Sequence, residues 1–190
     1  MTPVSLVEIE RKRALSSQGA LRARLGELGF ATTGSMAEVD TYYSRPDIDF
    51  RETVECLRVR QRDGRCEVTY KPASNPSTHS VAGVIAKEET NVELADADQA
   101  AHANRLLEVL GMVFLARVEK SRTHYRNPRQ PELTVVLDTV TGVGTFVETE
   151  IVSAWPREEV IRRLDEIECR LGLDSCPVVS LPYRDLVLQC

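Results

Sequence analysis

The sequence predicts an α+β fold: an eight-stranded antiparallel β-barrel with a charged interior, its helices packed outside. Three observations carry this prediction. Many strand-like segments place charged residues at every second position. Three leucine-bearing segments with helical spacing lie between groups of these strands. The two halves of the chain repeat one order, a charged strand, a leucine helix ending in LGF or LGM, then further strands.

The elements follow in order. VEIERKR at 7–13 alternates Glu8, Glu10 and Lys12 with apolar or basic neighbours, the period of two that sends successive strand side chains to opposite faces. SSQGALRARLGELGF at 16–30 spaces Leu21, Leu25 and Leu28 as one helical face, with Gly29 suited to its end. The aromatic DTYY at 40–43 reads as extended. LRVRQR at 57–62 sets Leu57 and Val59 against Arg58, Arg60 and Arg62, and EVTYK at 67–71 ends in Lys71 before Pro72. KEETNVEL at 87–94 puts Glu89, Asn91 and Glu93 on one side. A second helix is expected over 95–112, with Asp96 or Asp98 at its start and Gly111 after it. ARVEKSRTHYR at 116–126 aligns Lys120, Arg122 and His124, ELTVVLDTV at 132–140 carries Asp138, and TFVETEIV at 145–152 brings Glu148 and Glu150 together. A third helix is expected over 155–173, with Pro156 in its first turn and Gly172 at its end. Loops are expected at 45–53, 71–80 and 127–131, and the tail VSLPYRDLVL ends in a short helical turn.

Composition sets outer bounds. At 190 residues the chain is expected to be one domain, 1–190, large enough to bury a core. A net charge of −5 gives no electrostatic reason to expect nucleic acid. No apolar run approaches the roughly 18 residues that a membrane-spanning helix needs, so no membrane partner is expected. The first residues lack the basic-then-apolar order of a signal peptide. Five scattered cysteines form no CxxC pair, which argues against a disulfide framework or a zinc site and for a cytoplasmic location. His79, His102 and Trp155 read as surface or packing residues, and His124 as a strand-end residue that shares parity with Lys120 and Arg122.

In a closed barrel one face of every strand points inward, and here that face would be charged. The acids are Glu8, Glu10, Asp138, Glu148 and Glu150; the bases are Lys12, Arg58, Arg60, Lys71, Lys120 and Arg122. Burying so much charge is costly unless each group is paired or meets a ligand. Six bases against five acids leave a formal charge near +1, and two divalent cations on the carboxylates would bring it to about +5. That balance suits a polyphosphate such as triphosphate. Glutamates two apart can share hard cations through oxygen, as magnesium or manganese prefer. Arginines two apart suit bidentate phosphate contacts.

Glu8-Ile9-Glu10-Arg11-Lys12 resembles the ExExK signature of the CYTH superfamily, the triphosphate tunnel metalloenzymes. The resemblance continues in order through DTYY (40–43), LRVR (57–60), TYK (69–71), EKSR (119–122), Leu137-Asp138 and GTFVETE (144–150). It implies an eight-stranded antiparallel barrel enclosing a tunnel. It implies that Glu8, Glu10, Glu148 and Glu150 bind one or two Mg²⁺ or Mn²⁺ ions, with Asp138 joining at the second. Lys12, Arg58, Arg60, Lys71, Lys120 and Arg122 would grip the triphosphate oxygens, with Lys12 and Asp138 the candidate catalytic residues. Glu89 and Asn91 would also line the tunnel; bacterial relatives commonly read ETRV where this chain has ETNV, so Asn91 removes a basic contact. The partner is then a triphosphate-containing small molecule, and a homodimer stays open.

The resemblance implies either hydrolysis at a terminal phosphorus or cyclisation of ATP by a class IV adenylyl cyclase. The start IERK is closer to the thiamine triphosphatase-like members, and LPYRDLVL resembles the tail of relatives labelled class IV cyclases. Thiamine triphosphate, inorganic triphosphate and a nucleoside triphosphate are the expected substrates of a hydrolase. A non-catalytic polyphosphate-binding module is the remaining reading.

Overall fold

The computed structural model describes residues 7–74, 85–86 and 89–190. Among the described residues nine strands make one antiparallel sheet: β1 (Val7–Leu15), β2 (Ala31–Ser44), β3 (Cys56–Arg62), β4 (Arg65–Lys71), β5 (Ile85–Ala86), β6 (Thr90–Leu94), β7 (Val113–Asn127), β8 (Gln130–Val140) and β9 (Gly144–Ser153). The described residues also form four helices: α1 (Gln18–Glu27), α2 (Gln99–Val109), α3 (Arg157–Leu171) and α4 (Tyr183–Val187). The strand order is β5-β1-β9-β8-β7-β2-β3-β4-β6. Its two ends, β5 and β6, are separated by only three residues of chain. Taken as one crossing they give the eight expected strands, and they draw the two edges of the sheet together.

The repeat seen in the sequence reappears in the pairing. β2-β3-β4 and β7-β8-β9 are consecutive antiparallel runs joined by β2 against β7. The first strand of each half pairs with the last strand of the other, β1 with β9 and β6 with β4.

The outward faces carry most of the apolar core. Ile9, Val135, Leu137, Val147 and Ile151 pack under Leu21 and Leu25 of α1 and Val160, Leu164 and Ile167 of α3. Tyr43, Val59 and Cys66 pack against Ala100 beneath α2. The helices are each shorter than their apolar pattern. α2 begins after a turn in which the Asp96 carboxylate accepts the amides of Asp98 and Gln99. Gly29 and Gly172 end α1 and α3 with positive φ of 80° and 74°, the left-handed conformation that glycine adopts without penalty.

Two expectations need correction. The loop expected at 127–131 is a two-residue hairpin turn, because Asn127 pairs with Gln130 and its carboxamide accepts the Arg129 amide. β2 starts at Ala31, well before DTYY, since its polar first half is held by pairing with β7. His79, most of the loop at 71–80 and the first two residues of KEETNVEL lie outside the described residues.

Candidate functional site: a charged cavity inside the barrel

Parity along the strands decides what faces inward. Glu8, Glu10 and Lys12 of β1, Arg58, Arg60 and Arg62 of β3, and Lys71 of β4 line one cavity of about 310 Å³. Glu89, Asn91, Lys120, Arg122, His124, Glu148 and Glu150 line it as well. Every sequence-derived candidate except Asp138 therefore lines this cavity. Asp138 is fully buried beneath it, bonded to Arg122. Contacts around the ring show the sheet curling on itself: Lys71 of β4 is ion-paired with Glu89, and both act electrostatically on Glu8 of β1.

At one end of each strand the inward face turns apolar. Tyr42, Val118, Val140 and Phe146 gather there, with Tyr183, Leu186 and Val187 of α4 packed against them. This end of the cavity is closed by the C-terminal segment. Residues 177–179 also run beside β1: the Ala14 amide donates to Pro177 O and the Val179 amide to Lys12 O, each at 2.9 Å.

The charges sort into three groups. Glu8, Glu10 and Glu150 form an acidic trio whose oxygens lie within 4.8 Å of one another. Burial, then the charge of Glu148, pushes the Glu150 carboxyl well above the usual carboxylate range. Burial and Glu10 raise Glu8 in the same direction. Three carboxylates crowded at this spacing, with Glu8 and Glu150 raised in proton affinity, are a donor set that fits a hard divalent cation.

In the second group, Arg122 donates to both oxygens of Asp138 at 2.8 and 2.5 Å and to Glu148 at 2.5 Å. Burial alone would raise Glu148, but Arg122, Lys12 and Lys120 outweigh it and hold the carboxyl at about 2. The third group was missed in the sequence. Asp40 takes two hydrogen bonds from Arg60, and Glu38 sits 3.1 Å from the Lys120 ammonium. The period of two in Glu38-Val39-Asp40-Thr41-Tyr42 held the signal, because these acids share parity with the inward Tyr42.

Three cations differ from the rest. Arg58 has no carboxylate within ion-pair distance among the described residues, and its Nε is buried without a hydrogen-bond partner. The Lys12 ammonium donates to the Leu181 carbonyl at 2.7 Å and lies 4.1 Å from the centre of the Tyr183 ring. Burial lowers its pKa despite Glu148 and Glu10. Burial, with Arg122 and Arg60, brings Lys120 down to about 8.

The outer wall of β1 carries charge too. Arg11 and Arg13 face away from the cavity and donate to the buried Glu168 of α3, each at 2.9 Å. Here the outward face is not apolar, as strict alternation required; one buried carboxylate bridges the two guanidinium groups, with Asp165 also accepting from Arg11 and the Cys176 carbonyl from Arg13.

A cavity lined by both basic and acidic side chains, with an acidic trio among them, can hold a divalent cation beside an anionic ligand. The chain belongs to the CYTH domain family, whose model matches residues 6–175. It is 27% identical, over 95% of its length and 98% of the other's, to a Methanocaldococcus jannaschii protein provisionally named an adenylate cyclase. Among solved structures, the PH1819 protein of Pyrococcus horikoshii superposes with a TM-score of 0.77 at 26% identity, covering 96% of this chain and 98% of that one. A Hippeastrum protein, described as a cyclase candidate with a dominant triphosphatase activity, shares the fold with a TM-score of 0.63 at 18% identity, covering 93% of this chain and 91% of that one. Among the described residues no helix is long and apolar enough to cross a membrane.

Proposed function

We propose that this protein is a divalent-metal-dependent triphosphatase that binds a triphosphate in the barrel cavity and hydrolyses its terminal phosphoanhydride. The observation that carries the reading is the separation of the cavity charges. A hard-cation donor set, Glu8, Glu10 and Glu150, lines the same cavity as a cation, Arg58, that is ion-paired with no carboxylate among the described residues.

Each residue then has a role. Glu8, Glu10 and Glu150 would hold Mg²⁺ or Mn²⁺, with Glu148 available beside them. The ion supplies Lewis-acid polarisation of phosphoryl oxygens and neutralises charge. Arg58, Lys12, Lys71, Lys120 and Arg122 bind the triphosphate oxygens, and the buried setting strengthens each of these contacts. Arg60 faces the same cavity but is already held by Asp40, so it contributes field more than a free fork. Lys12 touches the phosphate chain directly. Asp138 acts through Arg122, fixing the guanidinium that meets the charge developing on the transferred phosphoryl group. Glu89 and Asn91 line the wall, Glu89 orienting Lys71. Water attacks the terminal phosphorus, the bond to the bridging oxygen breaks, and phosphate and a diphosphate leave.

A second reading, cyclisation of ATP to cyclic AMP and pyrophosphate, is favoured by the name of the Methanocaldococcus relative. The purified protein incubated with tripolyphosphate, thiamine triphosphate and ATP, with Mg²⁺ or Mn²⁺, decides by its products. Phosphate plus a diphosphate is the expected result. Cyclic AMP plus pyrophosphate would establish the second reading, and tight binding without products would make the chain a binding module.

A further inference from the structure

The closed end of the cavity is built by the C-terminal segment, and that segment offers more than a wall. Tyr183 is 6% exposed and lines the cavity. Its ring packs edge-on against Phe146, with centroids 5.2 Å apart. One ring also receives two ammonium groups, Lys12 at 4.1 Å and Lys120 at 5.1 Å from its centre. Its hydroxyl is buried and has no hydrogen-bond partner of normal geometry among the described residues. Asp138 and Glu148 lie close enough to interact with it, but both also accept from Arg122 and neither gives it a well-formed hydrogen bond.

A buried hydroxyl without a partner is costly and rare in a folded protein. Here it lies among Lys12, Lys120 and Arg122, three groups that would surround a phosphoryl group at the closed end. Burial, then Glu148 and Asp138, raises the phenol's pKa, so it meets an anion as a hydrogen-bond donor. The backbone makes the arrangement specific: the Leu181 carbonyl accepts from the Lys12 ammonium, and residues 177–179 are laced to β1. The tail therefore brings Tyr183 and Lys12 into one unit.

We propose that Tyr183 is a triphosphate-binding residue: its hydroxyl donates to an oxygen of the innermost phosphoryl group, while its ring seats Lys12 and Lys120. This rests on the triphosphate reading above, and it adds the C-terminal tail to the binding site.

The test is calorimetric binding of tripolyphosphate to the full-length protein, with EDTA and with Mg²⁺, for wild type, Tyr183→Phe and Tyr183→Leu, together with melting temperatures. Loss of a hydrogen bond to a charged acceptor should weaken binding about tenfold in Tyr183→Phe. That variant should melt close to wild type, because the hydroxyl it loses makes no hydrogen bond of normal geometry in the unliganded protein and interacts only loosely with Asp138 and Glu148. Tyr183→Leu should bind more weakly still, since two ammonium groups lose their seat. Binding by Tyr183→Phe within about twofold of wild type overturns the assignment, because even a weak hydrogen bond is worth more. A marked fall in its melting temperature overturns it as well, by making the hydroxyl structural. Wild type that binds no tripolyphosphate in either condition overturns the triphosphate reading, and this inference with it.

Discussion

Arg60 and Asp40 face each other across the β2–β3 pair and share two hydrogen bonds of 2.6 and 2.7 Å. Two residues earlier on the same strand, Arg58 has no such carboxylate. Neighbours of one residue type on one cavity wall thus have different work. Arg60→Ala would strand a fully buried Asp40 and should cost about 3–5 kcal/mol of stability. Arg58→Ala removes a cation that is ion-paired with no acid among the described residues and acts on Asp40 and Glu89 only from a distance. It should leave the melting temperature near wild type while weakening tripolyphosphate binding by at least about tenfold, the scale of a charged hydrogen bond. Equal affinity in the Arg58 variant would remove it from the triphosphate clamp.

The acidic trio gives a prediction that does not depend on turnover. Binding of Mn²⁺, followed by electron paramagnetic resonance, should weaken in Glu150→Gln by more than the roughly 10–100-fold typical of losing a supporting group. Asp138→Asn is the contrast. Asp138 bonds Arg122 and stands outside the trio. Its variant should keep Mn²⁺ affinity while losing about 100-fold or more in turnover, the scale of one removed transition-state donor. Lost Mn²⁺ affinity in Asp138→Asn would return Asp138 to the metal ligands. Unchanged affinity in Glu150→Gln would empty the trio of its role.

Acid stability should report the third charge group. Burial opposes ionisation of Glu38, yet Arg60, Lys120 and Arg122 hold its pKa at about 2, below its ordinary 4.5. A lowered folded pKa means stabilisation that is complete above about pH 4.5 and is lost as pH falls toward 2. The melting temperature of wild type should fall steeply across that window. Glu38→Gln should start lower and fall less, with the remaining slope supplied by Glu148, also held at about 2. Parallel curves for the two proteins would refute the assignment.

Much of this was legible because strand parity is a strong code. Glu8, Glu10, Lys12, Glu148 and Glu150 fall on one wall face because alternate residues must. What stayed hidden depended on partners far away in sequence. The polar start of β2, Ala31 to Ala37, carries no apolar alternation and is a strand only because β7 pairs with it. Glu38 and Asp40 looked like the approach to an aromatic motif until Arg60 and Lys120 appeared opposite them. Tyr183 lay in a tail recognised as a short helix, but nothing local told that Lys12 would sit on its ring.

Glu168 separates architecture from chemistry on the strand that carries Lys12. It is 1% exposed on α3 and accepts from Arg11 and Arg13 at 2.9 Å each and from the Thr149 hydroxyl at 2.6 Å. All of these contacts lie outside the barrel wall, while Glu10 and Lys12, on either side of Arg11, point inward. Glu168→Gln keeps the shape but leaves Arg13 without its carboxylate and Arg11 with Asp165 alone. It should cost about 3–5 kcal/mol in chemical denaturation, the usual loss when one partner of a buried ion pair is removed. At temperatures where the variant remains folded, tripolyphosphate and Mn²⁺ affinities should match wild type, since no cavity group is touched. A variant of wild-type stability that binds either ligand at least tenfold more weakly would show that Glu168 sets the position of β1 for function and does not merely anchor it.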